Sequence, residues 1–184
     1  DPEGYADPRW WDFSQAAHDW REKNPEPAAG KFQGDNRPRE NVTWFEAMAF
    51  CAWLSARTSL KITLPTRQQW QRAARGDDHR LYPWGDEFDT QFANTLESKV
   101  RMTSEVRRYD AGVSPFGVID MAGNTWEWCL NSSYDDTDIT AEKPRGVHGG
   151  SFMSPYERAQ NHSHLPLNPE SHFGSIGFRL VCLR

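Results

Sequence analysis

Histidine and cysteine side chains are the groups in this sequence best suited to bind a transition metal or to act as a nucleophile. Four of the six histidines fall in the last forty residues, and two of them, His162 and His164, are separated by a single residue. If this stretch is a strand, alternate side chains share a face, and the two imidazoles form a candidate metal-binding pair. The alternative is that they are exposed loop side chains, because no further ligand follows at a spacing typical of a metal site.

The three cysteines are Cys51, Cys129 and Cys182, and an odd, small number gives no disulfide framework. Cys51 lies in an apolar run with helical spacing, and Cys182 lies in an apolar stretch near the C-terminus. We therefore expect buried thiols that behave as small hydrophobic side chains. Their low number favours a reducing compartment.

The composition indicates one domain over residues 1–184, held together largely by aromatic side chains. Nine Trp, ten Phe and five Tyr are many for this length, while twelve Pro and thirteen Gly favour long ordered loops. The net charge of −5 comes from mixed acidic and basic residues, without the basic stripe that indicates nucleic acid binding. No apolar run is long enough to cross a membrane, so we expect no membrane insertion.

Two capping boxes predict the two main helices. Thr43 and Glu46 open a helix over residues 44–57, and Thr66 and Gln69 open another that ends at about Arg75. Alternation and turn residues predict strands at 60–64, 117–120, 147–152 and 176–183, and a polar acidic loop at 131–144. Residues 1–40 read as loop with one short helix, beside the aromatic core candidates Trp10, Trp11, Phe13 and Trp20.

Six segments in a fixed order resemble the formylglycine-generating enzyme, or sulfatase-modifying factor, family. They are NVTWFEAMAFCAWLS (41–55), LPTRQQWQRAARG (64–76), YPWGD (82–86), SPFGVIDMAGNTWEWC (114–129), GGSF (149–152) and IGFR (176–179). The resemblance implies an α+β, C-type-lectin-like fold, rich in loops, with few short strands and two main helices. Asp1 falls partway into the family pattern, so we expect that an N-terminal part of the domain is missing.

The resemblance also implies where the family chemistry should be. Members that make formylglycine use two cysteines just after the Gly-Gly-Ser segment to bind copper. Ser154 and Ala159 occupy these positions here, and no cysteine lies between Cys129 and Cys182. A hydroxyl does not replace a thiolate as a ligand for a soft metal. We therefore expect no copper and no formylglycine formation, and we predict that the protein is not an enzyme.

A structural calcium ion is a further expectation from the resemblance. In the family, the turn before the Trp-Glu-Trp motif holds calcium through oxygen ligands. The matching positions are Asp120, Gly123, Thr125 and Glu127. Two of these are carboxylates, which suit a hard cation. The alternative is that Glu127 only accepts hydrogen bonds from backbone amides of the turn.

The window from Met153 to Ser175 resembles the variable proteins of diversity-generating retroelements. In those proteins this part of a lectin-like scaffold carries the diversified residues that bind the ligand. Side chains such as Tyr, His, Ser and Phe on loops over a rigid core give contact area at a low entropy cost. The predicted ligand-binding residues are Met153, Ser154, Tyr156, Glu157, Gln160, His162, His164, Leu167, His172, Phe173 and Ser175.

The predicted function is therefore a non-catalytic domain that binds a macromolecule, most simply a protein, through residues 153–175. One alternative is an oxygen- and copper-dependent oxidase of the formylglycine-generating type with altered ligands. Another is a sensor or regulatory domain of a bacterial signalling protein. The window itself also has a plainer interpretation, that of an ordinary surface loop.

Overall fold

The computed structural model describes residues 2–135, 137–138 and 143–183, and these residues form an α+β arrangement rich in loops. Its helices are α1 (Pro2–Ala6), α2 (Gln15–Lys23), α3 (Trp44–Thr58) and α4 (Arg67–Arg75). Its strands are β1 (Lys61–Thr63), β2 (Trp126–Ser132), β3 (Arg145–His148), β4 (His164–Leu167), β5 (Ile176–Phe178) and β6 (Val181–Leu183). Short 3-10 turns lie at Pro8–Trp11, Leu96–Ser98, Asp110–Gly112 and Tyr156–Ala159.

Both predicted helices begin at their capping boxes. The Thr43 hydroxyl accepts a hydrogen bond from the Glu46 amide at 3.1 Å, and the Glu46 carboxylate accepts one from the Thr43 amide at 2.8 Å. The same reciprocal pair joins Thr66 and Gln69 at the start of α4. Each box satisfies two backbone N–H groups that the first turn leaves without partners. The two helices and their N-terminal limits are therefore confirmed.

The strands form two sheets, with β1 pairing β6 and with the order β4-β3-β2-β5 in the larger sheet. The predicted strand at 176–183 is wrong as a single element, because β5 joins β2 in parallel while β6 crosses to β1. No strand forms at 117–120, where the Ser114 amide donates back to the Val118 carbonyl and closes a turn. The strand predicted at 147–152 ends at His148, since Gly149 and Gly150 both have positive φ.

Large aromatic side chains fill the centre between the helices and the sheet. Trp11, Trp44 and Trp128 are fully buried. Their indoles are also hydrogen-bonded, since Trp44 Nε1 donates to the Cys129 carbonyl at 2.9 Å and Trp128 Nε1 to the Val42 carbonyl at 3.0 Å. These bonds tie α3 and the segment before it to β2, which fixes the scaffold from which the later loops project.

Three expectations need correction. Cys182 is exposed, because its strand β6 lies at the edge of the two-stranded sheet, whereas Cys51 and Cys129 are buried as predicted. Trp10 and Phe13 are only partly buried at the border of the core. The loop predicted at 131–144 starts later than expected, because β2 continues through Ser132; residues 136 and 139–142 of that prediction lie outside the described residues. None of the helices in the described part is long and apolar enough to cross a membrane.

Candidate ligand-binding face

The turn at Gly149–Phe152 positions the predicted ligand-binding segment. Gly150 has φ of 73°, and a Cβ atom there would lie 3.0 Å from the Cα of Ala159. A Cβ at Gly149 would lie 3.1 Å from the Trp70 ring. Only glycine therefore fits these two positions without displacing a neighbour. The Phe152 amide donates to the Asn124 carbonyl at 3.1 Å, which fixes the start of the segment on the body of the protein.

Ser154 and Ala159, the two positions of the family cysteines, are both buried. The Ser154 hydroxyl is hydrogen-bonded to the Ser151 amide at 3.1 Å and to the Ser151 hydroxyl at 3.0 Å. Ala159 lies directly against Gly150. In this arrangement the first position serves to close a tight turn, and the second serves to pack beneath it.

The two buried cysteines are poor nucleophiles. Burial raises the pKa of the Cys51 thiol to about 12, and burial likewise raises the pKa of the Cys129 thiol. Since the thiolate is the reactive form, both side chains stay protonated and unreactive at neutral pH. Neither lies in the segment that follows Gly149.

Much of the predicted segment is open to solvent. Met153 is 64% exposed and Phe173 is 54% exposed, which is unusual for side chains of this type. Tyr156 is also exposed, and its ring stacks on Phe88 at a centroid distance of 5.0 Å. The remaining exposed members of the prediction are Glu157, His162 and His172.

Other predicted contact residues are used inside the protein. Ser154 closes the turn, and Leu167 packs against the hydrophobic core from strand β4. His164 stacks on His148, and Gln160 donates to the Tyr82 hydroxyl at 3.4 Å. Ser175 is half-buried, and its carbonyl accepts from the Trp126 amide. Ser154 is buried and Leu167 is half-buried, so both are less accessible than Met153 and Phe173, and their contact role stays a prediction.

The structure adds residues that sequence reasoning did not select. Leu96 is 52% exposed, and its amide donates to the Ser154 carbonyl at 2.9 Å, which places it beside Met153. The neighbouring Glu97 accepts a hydrogen bond from the Tyr156 amide at 3.3 Å. No signal in the sequence links these residues to the window, because they are separated from it by more than fifty residues of loop and strand. We call the group Phe88, Leu96, Glu97, Met153 and Tyr156 the apolar face.

Residues 31–32 pack beside both ends of the predicted window. Phe32 contacts Phe152 edge to face at 5.4 Å, directly before Met153. The side chain of the preceding residue, Lys31, lies beside Gly174, directly after Phe173. Residues 31–32 thus contact the chain next to both Met153 and Phe173, near the two ends of the predicted window.

The predicted calcium ligands lie around an ion pair. Both oxygens of the Glu127 carboxylate accept from Arg179, at 2.5 and 2.7 Å, and Oε2 also accepts from Trp70 Nε1 at 2.6 Å. Glu127 is thus bound by side chains, and not by backbone amides of the turn as the alternative supposed. Burial raises the pKa of the Asp120 carboxyl, and its backbone carbonyl accepts from Arg179. A calcium ion at Glu127 would have to share the carboxylate with the Arg179 guanidinium. Calcium bound through Asp120, Gly123, Thr125 and Glu127 stays a prediction.

This architecture defines a class of protein, the C-type-lectin-like domains. Among solved structures, Treponema denticola variable protein 1 is similar, with a TM-score of 0.72 and 23% sequence identity. The match covers 85% of this chain and 74% of that one. At this level of identity the likeness concerns the fold, and it confirms the predicted α+β, lectin-like architecture.

The chain belongs to the family of the sulfatase-modifying factor enzyme 1-like domain, which matches residues 3–183. The inactive C-alpha-formylglycine-generating enzyme 2 of Bos taurus is 30% identical over 185 residues, which cover 92% of this chain and 58% of the bovine protein. The formylglycine-generating enzyme of Streptomyces coelicolor is 31% identical over 200 residues, covering 92% of this chain and 60% of that protein. The chain therefore spans a little over half the length of these relatives. One relative is named inactive and the other is named an enzyme. Membership of the family therefore does not decide whether this chain is catalytic.

Proposed function

We propose that this domain is a non-catalytic binding module of the formylglycine-generating enzyme family. The observation that carries the proposal is the state of the two positions that would hold copper. Ser154 is engaged in the turn through its hydroxyl, and Ala159 is packed against Gly150 with no side-chain group that binds a metal. The likeness to the inactive bovine relative is consistent with this proposal.

The ligand would bind to the apolar face together with Phe173. Met153, Leu96 and Phe173 each expose more than half of their surface, yet each has a backbone hydrogen bond: the Met153 amide to the Ser151 hydroxyl, the Leu96 amide to the Ser154 carbonyl, and the Phe173 carbonyl to the Asn41 amide. Exposed apolar side chains of this size, gathered on one region, indicate an interaction site. A rigid backbone lowers the entropy cost of ordering such a site, which favours a protein or peptide as the partner.

The binding proposal is tested with a displayed library of random peptides selected on the unaltered domain. A variant that combines Met153→Ser, Tyr156→Ser and Phe173→Ser should lose at least tenfold in affinity for the selected peptides, with little change in Tm. The matched control is Phe116→Ser with Tyr134→Ser, which removes exposed aromatic rings elsewhere and should leave affinity unchanged. If the control lowers affinity as much as the first variant, the apolar face is not the site. A collapse of Tm in the first variant would instead mean that these residues are part of the core.

The absence of catalysis is tested separately with copper(I) and a cysteine-containing sulfatase peptide. We expect no stoichiometric copper binding near Ser154 and no oxidation of the peptide cysteine in air. One copper ion bound per chain, together with conversion of the peptide cysteine to formylglycine, would favour the oxidase alternative and contradict this part of the proposal. The peptide-library result does not depend on this outcome.

A further inference from the structure

Two histidines face each other across strands β3 and β4. His148 and His164 are direct partners in the antiparallel register, so their side chains lie on the same face of the sheet. Their rings are 5.6 Å apart between centroids, and the planes differ by 19°. The sequence pattern drew attention to His162 and His164 as a pair, but His162 lies outside the strand. The strand register brings a different histidine, sixteen residues earlier in the chain, against His164.

His148 is buried, and its two ring nitrogens make no hydrogen bond within the described part of the chain. It has no exposed surface, and neither Nδ1 nor Nε2 has a hydrogen-bond partner among the described residues. The Ser163 backbone lies close enough to raise the pKa of His148, but it makes no hydrogen bond of normal geometry with the ring. Buried polar atoms are nearly always paired with protein groups, with water or with an ion. The two nitrogens of His148 therefore call for a partner that is not a protein group.

Nε2 of His148 lies near Gly146 and the Ser133 hydroxyl. A Cβ atom built on Gly146 would lie 3.7 Å from His148 Nε2 and 3.3 Å from the Ser133 hydroxyl oxygen. The Ser133 hydroxyl is likewise buried and lacks a hydrogen-bond partner among the described residues. Two buried polar atoms without described hydrogen-bond partners thus lie within 4 Å of the same point.

We propose that His148 and His164 bind one divalent transition-metal ion of the kind that prefers imidazole, such as Zn²⁺. Neutral imidazole nitrogens are common ligands for zinc, copper and nickel ions. The Ser133 hydroxyl or water completes the coordination, since no group of three or more His, Cys, Asp and Glu side chains in the described part is arranged around one metal position. His164 is only half-buried, which gives the ion a route from solvent.

The charged and titratable groups near the pair are few. Glu127 lies opposite His148 on β2, but its carboxylate is bound by Arg179 and Trp70 and does not reach the ion as a free ligand. The charge of Arg67, at the start of α4, acts on His148 and disfavours a second positive charge there. A site with two imidazoles and no carboxylate should therefore be modest in affinity, in the micromolar range. Burial keeps His148 neutral, with its pKa lowered to about 3, so that the ring is in the form that binds metal.

The test is a calorimetric titration of the metal-free protein with Zn²⁺ at neutral pH, in a Cys182→Ser background that removes the exposed thiol. We expect one saturable site per chain and a rise in Tm when zinc is added. His164→Ala should weaken binding at least tenfold, while His172→Ala, which removes an exposed histidine, should leave it unchanged. His148→Phe keeps a ring in the stack and should also lose the site, and its fold is checked by circular dichroism.

Three results would overturn the proposal. The first is an unaltered protein that shows no saturable zinc binding, in which case the partner of His148 is an ordered water molecule. The second is a His164→Ala variant that binds zinc as tightly as the unaltered protein. The third is an equal loss of binding in His172→Ala, which would place the ion on the exposed histidines.

Discussion

Acidification should destabilise this protein through His148, and the size of the effect follows from the burial of that side chain. His148 has no exposed surface, and its pKa is lowered from 6.5 to about 3, chiefly by burial and also by His164 and Arg67. The unfolded chain therefore binds a proton between these two values that the folded protein does not. Stability is fully present above the pKa of the unfolded state and falls as the pH drops, by at most about 1.4 kcal/mol per pH unit. The loss from this one group should reach about 2 kcal/mol at about pH 5.

The assay is urea unfolding at a series of pH values, with a chelator present, for the unaltered protein and for His148→Phe. The phenylalanine ring can occupy the stack between Trp70 and His164, which lie 5.1 and 5.6 Å from the His148 ring. The variant removes two unpaired nitrogens. At neutral pH its free energy of unfolding should therefore equal that of the unaltered protein or exceed it by up to about 2 kcal/mol. The difference between the two proteins should then widen as the pH falls below 6.5. A difference that stays constant from neutral pH down to about pH 4 would refute the reasoning. His172→Phe, at an exposed site, is the control and should show no widening.

Three further predictions concern the turn and the ion pair. Glu127→Gln leaves the Arg179 guanidinium without its carboxylate and should cost about 3 kcal/mol of unfolding free energy, measured in urea; a loss below about 1 kcal/mol would mean that water replaces the pair. Gly150→Ala should cost clearly more than Gly117→Ala, because both positions have positive φ but only the first would place a Cβ against backbone atoms; equal losses would show that backbone strain alone matters. The predicted calcium site is checked by melting with calcium and with chelator: a bound ion raises Tm, Asp120→Asn removes the rise, and no shift counts against the site.

Local signals in the sequence determined the parts of the fold that depend on neighbours along the chain. The capping boxes at Thr43 and Thr66 located both main helices, because their hydrogen bonds join residues only three positions apart. The Gly-Gly step at 149–150 was one of the family motifs, and the close packing around it allows no larger residue. The ordered motifs identified the family, which the match over residues 3–183 confirms.

Tertiary structure alone decided which side chains of the window face outward. Leu167 and Met153 are similar in size and hydrophobicity, yet the first packs on the core and the second is exposed. Leu167 is directed to the core by the register of β4 against β3, which a shift of one residue would reverse, whereas Met153 lies in a turn outside the sheet. Sequence patterns do not specify such pairing between strands that are distant along the chain.

The same reason explains what sequence analysis missed. Leu96 meets Ser154, and Glu97 meets Tyr156, because loops of distant sequence pack together, and His148 meets His164 because two strands pair in one register. The sequence gives the composition of the 153–175 window. It does not show which side chains of the window are exposed or which residues contact them. Contacts of this kind are made only when the whole core has formed, and they decide where a partner or an ion can bind.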